Sequence, residues 1–438
     1  MPSAESLAVT QGSGARPLRV AILGAGTVGR EVVRALASTA DGPLTLAAVA
    51  VRDLDRARAA GIAGDLLTDA PAHLVAAPDT DVVVELMGGD EPARTLILAA
   101  LRAGKDVVTA NKHVLAHHGP EIERTVHDGG SALRFEAAVG GGIPVLRSIA
   151  GGLAGDRIHR VRGIVNGTTN HILTALAAGE GTYEAVLRDA QQRGYAEADP
   201  SGDVEGRDAI NKLVILCRLA FGRWLDPAAI PDRPPSLRGR GGPGITGVTS
   251  DQLAAADALG LTLKLVAAAD RSGDRLLASV MPTAVPRASG LGGTGGVRNR
   301  IEITGEPVGT VGFDGPGAGG AATSSAVLAD LHALARGEGS TWAGAAAPAD
   351  LEQAVNTPAP RDDRRRTDQS ARRWFLLLPG VRRARGLGDV VEGSALVPGG
   401  LALRTTWLGL ETLRARMLAV TQPTLDAPCY PLDSGSDA

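Results

Sequence analysis

LRVAILGAGTVGREVVRALAST, residues 18–39, carries the reading of the fold. Arg19-Val20-Ala21-Ile22-Leu23 is a short apolar run of buried-strand type, and from Val28 onward the apolar residues recur at helical spacing. Gly24-Ala25-Gly26-Thr27-Val28-Gly29 lies between them and fits the dinucleotide fingerprint. The first glycine permits a tight turn and the second lets backbone approach a pyrophosphate. The third permits close helix–strand packing, while the helix N-terminus faces the phosphates. Glycine turns are common in a chain with 58 Gly, so the weight rests on position, after a strand and at the opening of a helix.

The residues that follow extend the pattern. LTLAAVAVRD (44–53) reads as a second strand and RARAAG (56–61) as a helix, followed by DVVVELMGG (81–89), a helix in EPARTLILAALRAG (91–104), and DVVTANK (106–112). Alternating strands and helices with β-branched strands predict a doubly wound parallel sheet. After about residue 145 longer helices (HILTALAAG, YEAVLRDAQQRG, GRDAINKLVILCRLAFG) mix with strands such as HRVRGIVNG, LLASVMPTAV and RIEITGEPVGTVGF, an α+β texture. Residues 228–242 form a Pro/Arg/Gly loop. A second linker precedes a small C-terminal segment in which RRWFLLLPG and GLALRTTWLGLETLRARMLAV read as strand and helix. The division expected is a disordered lead-in (1–16), a nucleotide-binding domain (17–145 with a returning segment 312–337) and a substrate domain (146–311). A linker (338–369), a C-terminal segment of unknown role (370–421) and a disordered tail (422–438) complete it.

Composition bounds the function. A net charge of -3, a pI near 6.3 and 3% aromatic residues give no reason to expect nucleic acid or an anionic membrane as partner. No apolar run approaches the roughly 20 residues of a membrane span. Cys217 and Cys429 match no metal spacing or disulfide framework, which suits a reducing cytoplasm.

Lysine is scarce: positions 105, 112, 212 and 264 hold all of it among 45 basic residues. GYAEADPSGDVEGRDAINK (194–212) ends an acid-rich stretch on Lys212, with Glu205, Asp208 and Lys212 on one helix face. An exposed Asp208–Lys212 ion pair of small value would account for that spacing. The acids of the preceding loop argue instead for carboxylates that bind a substrate ammonium beside a lysine ready to donate a proton. Thr109, Asn111 and Lys112 lie just past the end of a strand, where open α/β sheets bind ligands. At the end of the second strand Arg52 comes first, which points to NADPH, with Asp53 leaving room for NADH. FEAAVGGGIPVL (135–146) reads as a strand ending in a flexible turn, and GIVNGTTNHILT (163–174) as a strand turning into a helix that capping explains as well as carboxylate binding does. His113, His117 and His118 lack further ligands for a metal.

Together GAGTVG, VTANK, EAAVGGGIPV, GIVNGTTNHILT, GYAEADPSGDVEGRDAINK and GPGAGGAATSSAVLADL resemble homoserine dehydrogenase over residues 17–337. The resemblance implies a Rossmann-type domain plus an α+β substrate and dimerisation domain. It implies reversible NAD(P)H-dependent reduction of L-aspartate 4-semialdehyde to L-homoserine, in the biosynthesis of threonine, methionine and isoleucine. A paralogue acting on a related amino-acid aldehyde, or a non-catalytic NADP-binding regulator, is the alternative. By the resemblance Lys212 and Lys112 are catalytic, and Glu197, Asp208, Asp203 and Thr168 bind substrate. Gly24, Gly26, Thr27, Val28, Gly29, Arg52, Thr109, Lys112 and Gly315 bind NADP, with NAD an alternative cofactor. Glu136, Val139, Gly141 and Ile143 hold a monovalent cation, Na+ or K+. A cytoplasmic homodimer with a small-molecule substrate is expected. Many bacterial members end in a regulatory βαββαβ unit, for which residues 370–421 are short.

Overall fold

The computed structural model describes residues 16–39, 42–342, 372–383, 386–420 and 425–433. The lead-in up to residue 15 and the linker beyond Trp342 lie outside the described residues. No helix among those described is long and apolar enough to cross a membrane.

Six strands form the first sheet: β1 (Leu18–Leu23), β2 (Leu44–Ala50), β3 (Leu67–Thr68), β4 (Val82–Glu85), β5 (Asp106–Thr109) and β6 (Leu133–Arg134). Their order is β3-β2-β1-β4-β5-β6 and every pairing is parallel. Val20 to Leu23 and Val82 to Val84 are wholly buried, as strands covered on both faces must be. The chain winds outward to β3 on one side of β1 and to β6 on the other, so the switch point lies between β1 and β4. A ligand crevice is expected there, beyond the strand C-termini. The returning helix Gly320–Ala335 packs on helix Thr27–Ala37 through Val327 and Leu331, and so ties the distant segment to the first βα unit.

The second sheet has nine strands. β7 (Arg157–Ile164), β8 (Leu261–Ser272), β9 (Arg275–Pro286), β10 (Arg298–Glu306) and β11 (Gly309–Pro316) belong to the middle of the chain. β12 (Arg373–Pro379), β13 (Val391–Val397), β14 (Gly400–Thr405) and β15 (Tyr430–Leu432) belong to its end. The order is β11-β10-β7-β8-β9-β15-β12-β14-β13. The expected disordered tail is therefore corrected over its described part. Tyr430–Leu432 pairs with β12, and Leu432 bridges to Ala284 of β9. Tyr430 is buried, stacks on Phe375 and donates its hydroxyl to Gln252 Oε1 at 2.7 Å. Pro428 and Pro431 interrupt any alternation, so local pattern could not announce this strand. Within the C-terminal segment the order β15-β12-β14-β13, with helix Leu410–Val420 before β15, is that of a split βαββαβ unit. Among the described residues no helix joins β12 to β13.

The two sheets are joined by helices Lys112–Gly129 and Arg207–Phe221, which pack side by side. Their far ends share an ion pair out of reach of water: Arg218 Nε donates to Glu123 Oε2 at 3.0 Å, and Trp224 Nε1 donates to the same oxygen at 2.6 Å. Glu123→Gln removes the buried carboxylate that faces Arg218 and is expected to cost about 3–5 kcal/mol of stability. Urea unfolding checks this, and a loss below 1 kcal/mol, roughly the value of an exposed pair, would show the pair to be solvated.

Candidate active site

The glycine turn after β1 uses each glycine differently. Gly24 has φ +102°, and a Cβ there would lie 2.8 Å from the Leu86 carbonyl oxygen. A Cβ on Gly29 would lie 2.1 Å from the Gly24 oxygen, so this position holds helix against strand. Nothing lies within 4 Å of a Cβ on Gly26, whose open side faces a cavity of about 540 Å³. Gly24 to Thr27, Arg30, Arg52, Asp53 and Arg56 line that cavity, together with Leu86 to Gly88. Val28 turns its side chain to the apolar core instead.

Asp53 caps helix Leu54–Ala59 by accepting from Arg56 N at 2.9 Å. Arg52 is exposed and makes no side-chain hydrogen bond or ion pair among the described residues. The acid thus holds structure while the arginines face the cavity. Arg30 and Arg56 escaped the sequence reading, although Arg30 follows Gly26 by one helical turn.

Thr109 and Gly315, also expected at the cofactor, do not line that cavity. Thr109 is buried and donates its hydroxyl to Glu85 Oε2 at 2.6 Å. Gly315 pairs with Asn299 inside the second sheet. The close approach to the nucleotide turn is made by Gly320, where a Cβ would lie 2.9 Å from Thr27 O. Glu85 was not anticipated. It ends β4, accepts from the amides of Met87 and Gly88 as well as from Thr109, and so shapes the cavity wall. Burial pushes its carboxyl up, against the pull of those bonds.

Two lysines meet on Asp208. Asp208 stands one helical turn before Lys212, and its Oδ2 accepts from Lys212 Nζ at 2.7 Å. Its Oδ1 lies 3.2 Å from Nζ of Lys112, the first residue of its own helix. Burial alone would push the Asp208 carboxyl up. Lys212 and then Lys112 outweigh it, so the group is held well below the usual carboxylate range. The Asp208–Lys212 pair therefore exists, and it is buried. Lys212 Nζ also donates to Val165 O at 2.7 Å. Its third N–H has no acceptor among the described residues.

Asn166 organises the carboxylates. Its Oδ1 caps helix Gly167–Ala177 by accepting from Thr169 N at 2.8 Å. Its Nδ2 donates to Asp203 Oδ1 at 2.7 Å and to Asp208 Oδ2 at 2.9 Å. The capping that the sequence suggested is present, and the same residue also holds two of the protein's own carboxylates. Burial pushes the Asp203 carboxyl up, with Asn166 acting against it. Thr168 donates its hydroxyl to Tyr195 O at 2.5 Å, anchoring the loop that carries Glu197. Glu197 is exposed, and its side chain makes no hydrogen bond or ion pair among the described residues.

The segment expected to hold a cation packs at the junction of the two sheets. Glu136 is buried and accepts from Leu146 N, Arg147 N and Arg147 Nε at 2.9, 2.8 and 3.2 Å. The Ile143 carbonyl accepts from Val145 N, whereas those of Val139 and Gly141 accept no hydrogen bond among the described residues. Gly141 has φ +59°, and a Cβ there would lie 2.6 Å from the Gly317 carbonyl carbon. Asn299, against the other side of Gly317, is 1% exposed with neither amide atom hydrogen-bonded. The histidines form no metal centre: no group of three or more His, Cys, Asp or Glu suited to a metal occurs among the described residues.

Comparison with known proteins agrees with this geometry. Residues 24–136 match the family model "Homoserine dehydrogenase, NAD binding domain" and residues 144–332 the model "Homoserine dehydrogenase". The chain is 39% identical over 326 residues to a homoserine dehydrogenase of Bacillus subtilis, covering 73% of each. It is 42% identical over 333 residues to that of Mycobacterium bovis, again covering 73% of each. The crystal structure of a Thiobacillus denitrificans homoserine dehydrogenase superposes with a TM-score of 0.82 at 31% identity, covering 95% of this chain and 98% of that one. A hyperthermophilic archaeal homoserine dehydrogenase, solved in complex with NADPH, matches with a TM-score of 0.60 at 25% identity over 72% of this chain and 97% of its own. The glycine turn, the paired lysines and the acid loop thus stand in a chain that belongs to the homoserine dehydrogenase family.

Proposed function

We propose that Lys212, Lys112 and Asp208 carry the reaction of this NAD(P)-dependent oxidoreductase, the reversible reduction of L-aspartate 4-semialdehyde to L-homoserine, with Lys212 as proton donor. The observation that carries this reading is the bridge of Asp208 between two lysines, with one N–H of Lys212 left uncommitted. The bound nicotinamide supplies the hydride. As the carbonyl carbon accepts it, negative charge develops on the substrate oxygen, which two fixed ammonium groups stabilise. Lys212 then delivers its proton to that oxygen, and in the reverse direction takes it back. Asp203, held by Asn166, and the exposed Glu197 bind the substrate's ammonium. An analogue without the amino group tests this: 4-hydroxybutanoate is expected to turn over with kcat/KM about 10⁴-fold below homoserine. Comparable values for the two would remove Asp203 and Glu197 from substrate binding.

The arginine-lined cavity favours NADPH, with Arg52 on the 2′-phosphate. Arg52→Ala is expected to raise the KM for NADPH roughly 10- to 100-fold and to leave that for NADH near its starting value; equal changes for both would refute the assignment. A monovalent cation fits the junction of the sheets. Glu136, Ile143 and the uncommitted Val139 and Gly141 carbonyls would hold it, and its work would be to brace the 136–143 segment away from the reacting atoms. A homodimer belongs to the same reading and is checked by sedimentation.

A further inference from the structure

The Pro/Arg/Gly loop is engaged at its base and at its tip. Its tip lies in the C-terminal unit. Leu237 is 1% exposed in a cluster with Trp374, Leu376 and Leu413. Leu237 N donates to Ala427 O at 3.0 Å and Cys429 N to Pro235 O at 2.7 Å. Arg414, on helix Leu410–Val420, donates to Ser236 O at 3.0 Å and to Gly239 O at 2.9 Å. Asp426 accepts from Arg238 N at 3.0 Å.

The base of the same loop lies under the substrate carboxylates. Ile245 N donates to Val204 O at 2.8 Å. Gly244 has φ +51°, and a Cβ there would lie 2.1 Å from Val204 O and 2.6 Å from the Glu205 carbonyl carbon, so no larger residue fits. Val204 and Glu205 directly follow Asp203 and lead through Gly206, the left-handed N-cap, into the helix of Asp208 and Lys212. Gly244 N and Gly241 N are held by Asp232 O and Pro234 O, which close the loop on itself between base and tip.

We infer that residues 228–245 are a positioning strut, through which the C-terminal unit sets the placement of Asp203 and Asp208. The inference rests on those acids forming the substrate site. It differs from a merely stabilising role in what it predicts. Loosening the tip alters homoserine binding selectively, because the residues that line the NADP+ cavity all lie between Gly24 and Pro92 and none belongs to the loop.

The test uses the full chain with Leu237→Ala, which empties part of the tip's apolar seat, and Arg414→Gln, which removes two bonds to the loop without touching the core. Each is expected to raise the KM for homoserine roughly 3- to 30-fold, with the NADP+ dissociation constant unchanged, and Leu237→Ile is expected to restore the wild-type value. Amide hydrogen exchange gives a second readout independent of turnover: Gly206 and Ile245 should exchange faster in Arg414→Gln. An unchanged homoserine KM with unchanged exchange at these amides, or an equal loss of NADP+ affinity, overturns the strut. Wild-type protein that fails to oxidise homoserine, while Arg414→Gln still loosens those amides, would sink the substrate-site reading and leave the strut standing.

Discussion

Lys212→Ala is expected to lower kcat for homoserine oxidation by about 10²- to 10⁴-fold while the NADP+ dissociation constant stays within roughly twofold of wild type. The separation follows from position. Lys212 is buried among Asp208, Val165 and Asn166 in the second domain, whereas the cofactor cavity is lined by the first. Lys212→Arg sharpens the experiment. An arginine keeps the positive charge, but its guanidinium does not give up a proton in the accessible pH range. If Lys212 acts by proton transfer, the arginine variant is nearly as slow as the alanine one. Recovery of most activity with arginine would make the role purely electrostatic. Loss of NADP+ binding in either variant would mean that Lys212 belongs to the cofactor site.

Asp208→Asn is expected to lower kcat/KM by about 10²- to 10³-fold, because it removes the countercharge shared by two ammonium groups, a loss worth about 3–5 kcal/mol for a buried pair. Its stability should follow the same logic. Lys212 and Lys112 hold the Asp208 carboxyl below its ordinary value of 3.8 despite burial. The group's contribution is therefore complete above the unfolded pKa and lost as pH falls through the depressed folded value. The variant should be less stable than wild type at neutral pH, and the gap should close only below about pH 4. Denaturant unfolding at several pH values measures this. A gap that is constant down to acid pH would mean that Asp208 acts as a neutral hydrogen-bonding group.

What the sequence disclosed and what it hid divide along the range of the interactions. The β1–turn–helix unit was legible because its pattern is local: Val20 to Leu23, three glycines, then helical spacing. Asp208 and Lys212 on one face followed from the same kind of count. That Lys112 reaches the other oxygen of Asp208 did not, since helices Lys112–Gly129 and Arg207–Phe221 meet only when the two sheets dock. Glu85 was overlooked because one acid at the end of an apolar strand carries no pattern, although burial and three donors make it a support of the cavity. β15 was hidden by two prolines, and the burial of Leu237 depends on a partner segment nearly 200 residues away. Within GPGAGG the sequence did not show which glycine meets the nucleotide turn: β11 runs to Pro316, and Gly320 makes the close approach to Thr27.

Purified full-length protein given L-homoserine with NADP+ or NAD+, followed by the absorbance of the reduced nicotinamide, tests the central claim most directly. The account predicts homoserine-dependent reduction of the cofactor, faster with NADP+ than with NAD+ at limiting concentration, and lost in Lys212→Ala. A folded sample that binds NADP+ yet shows no homoserine-dependent reduction with either cofactor would contradict it.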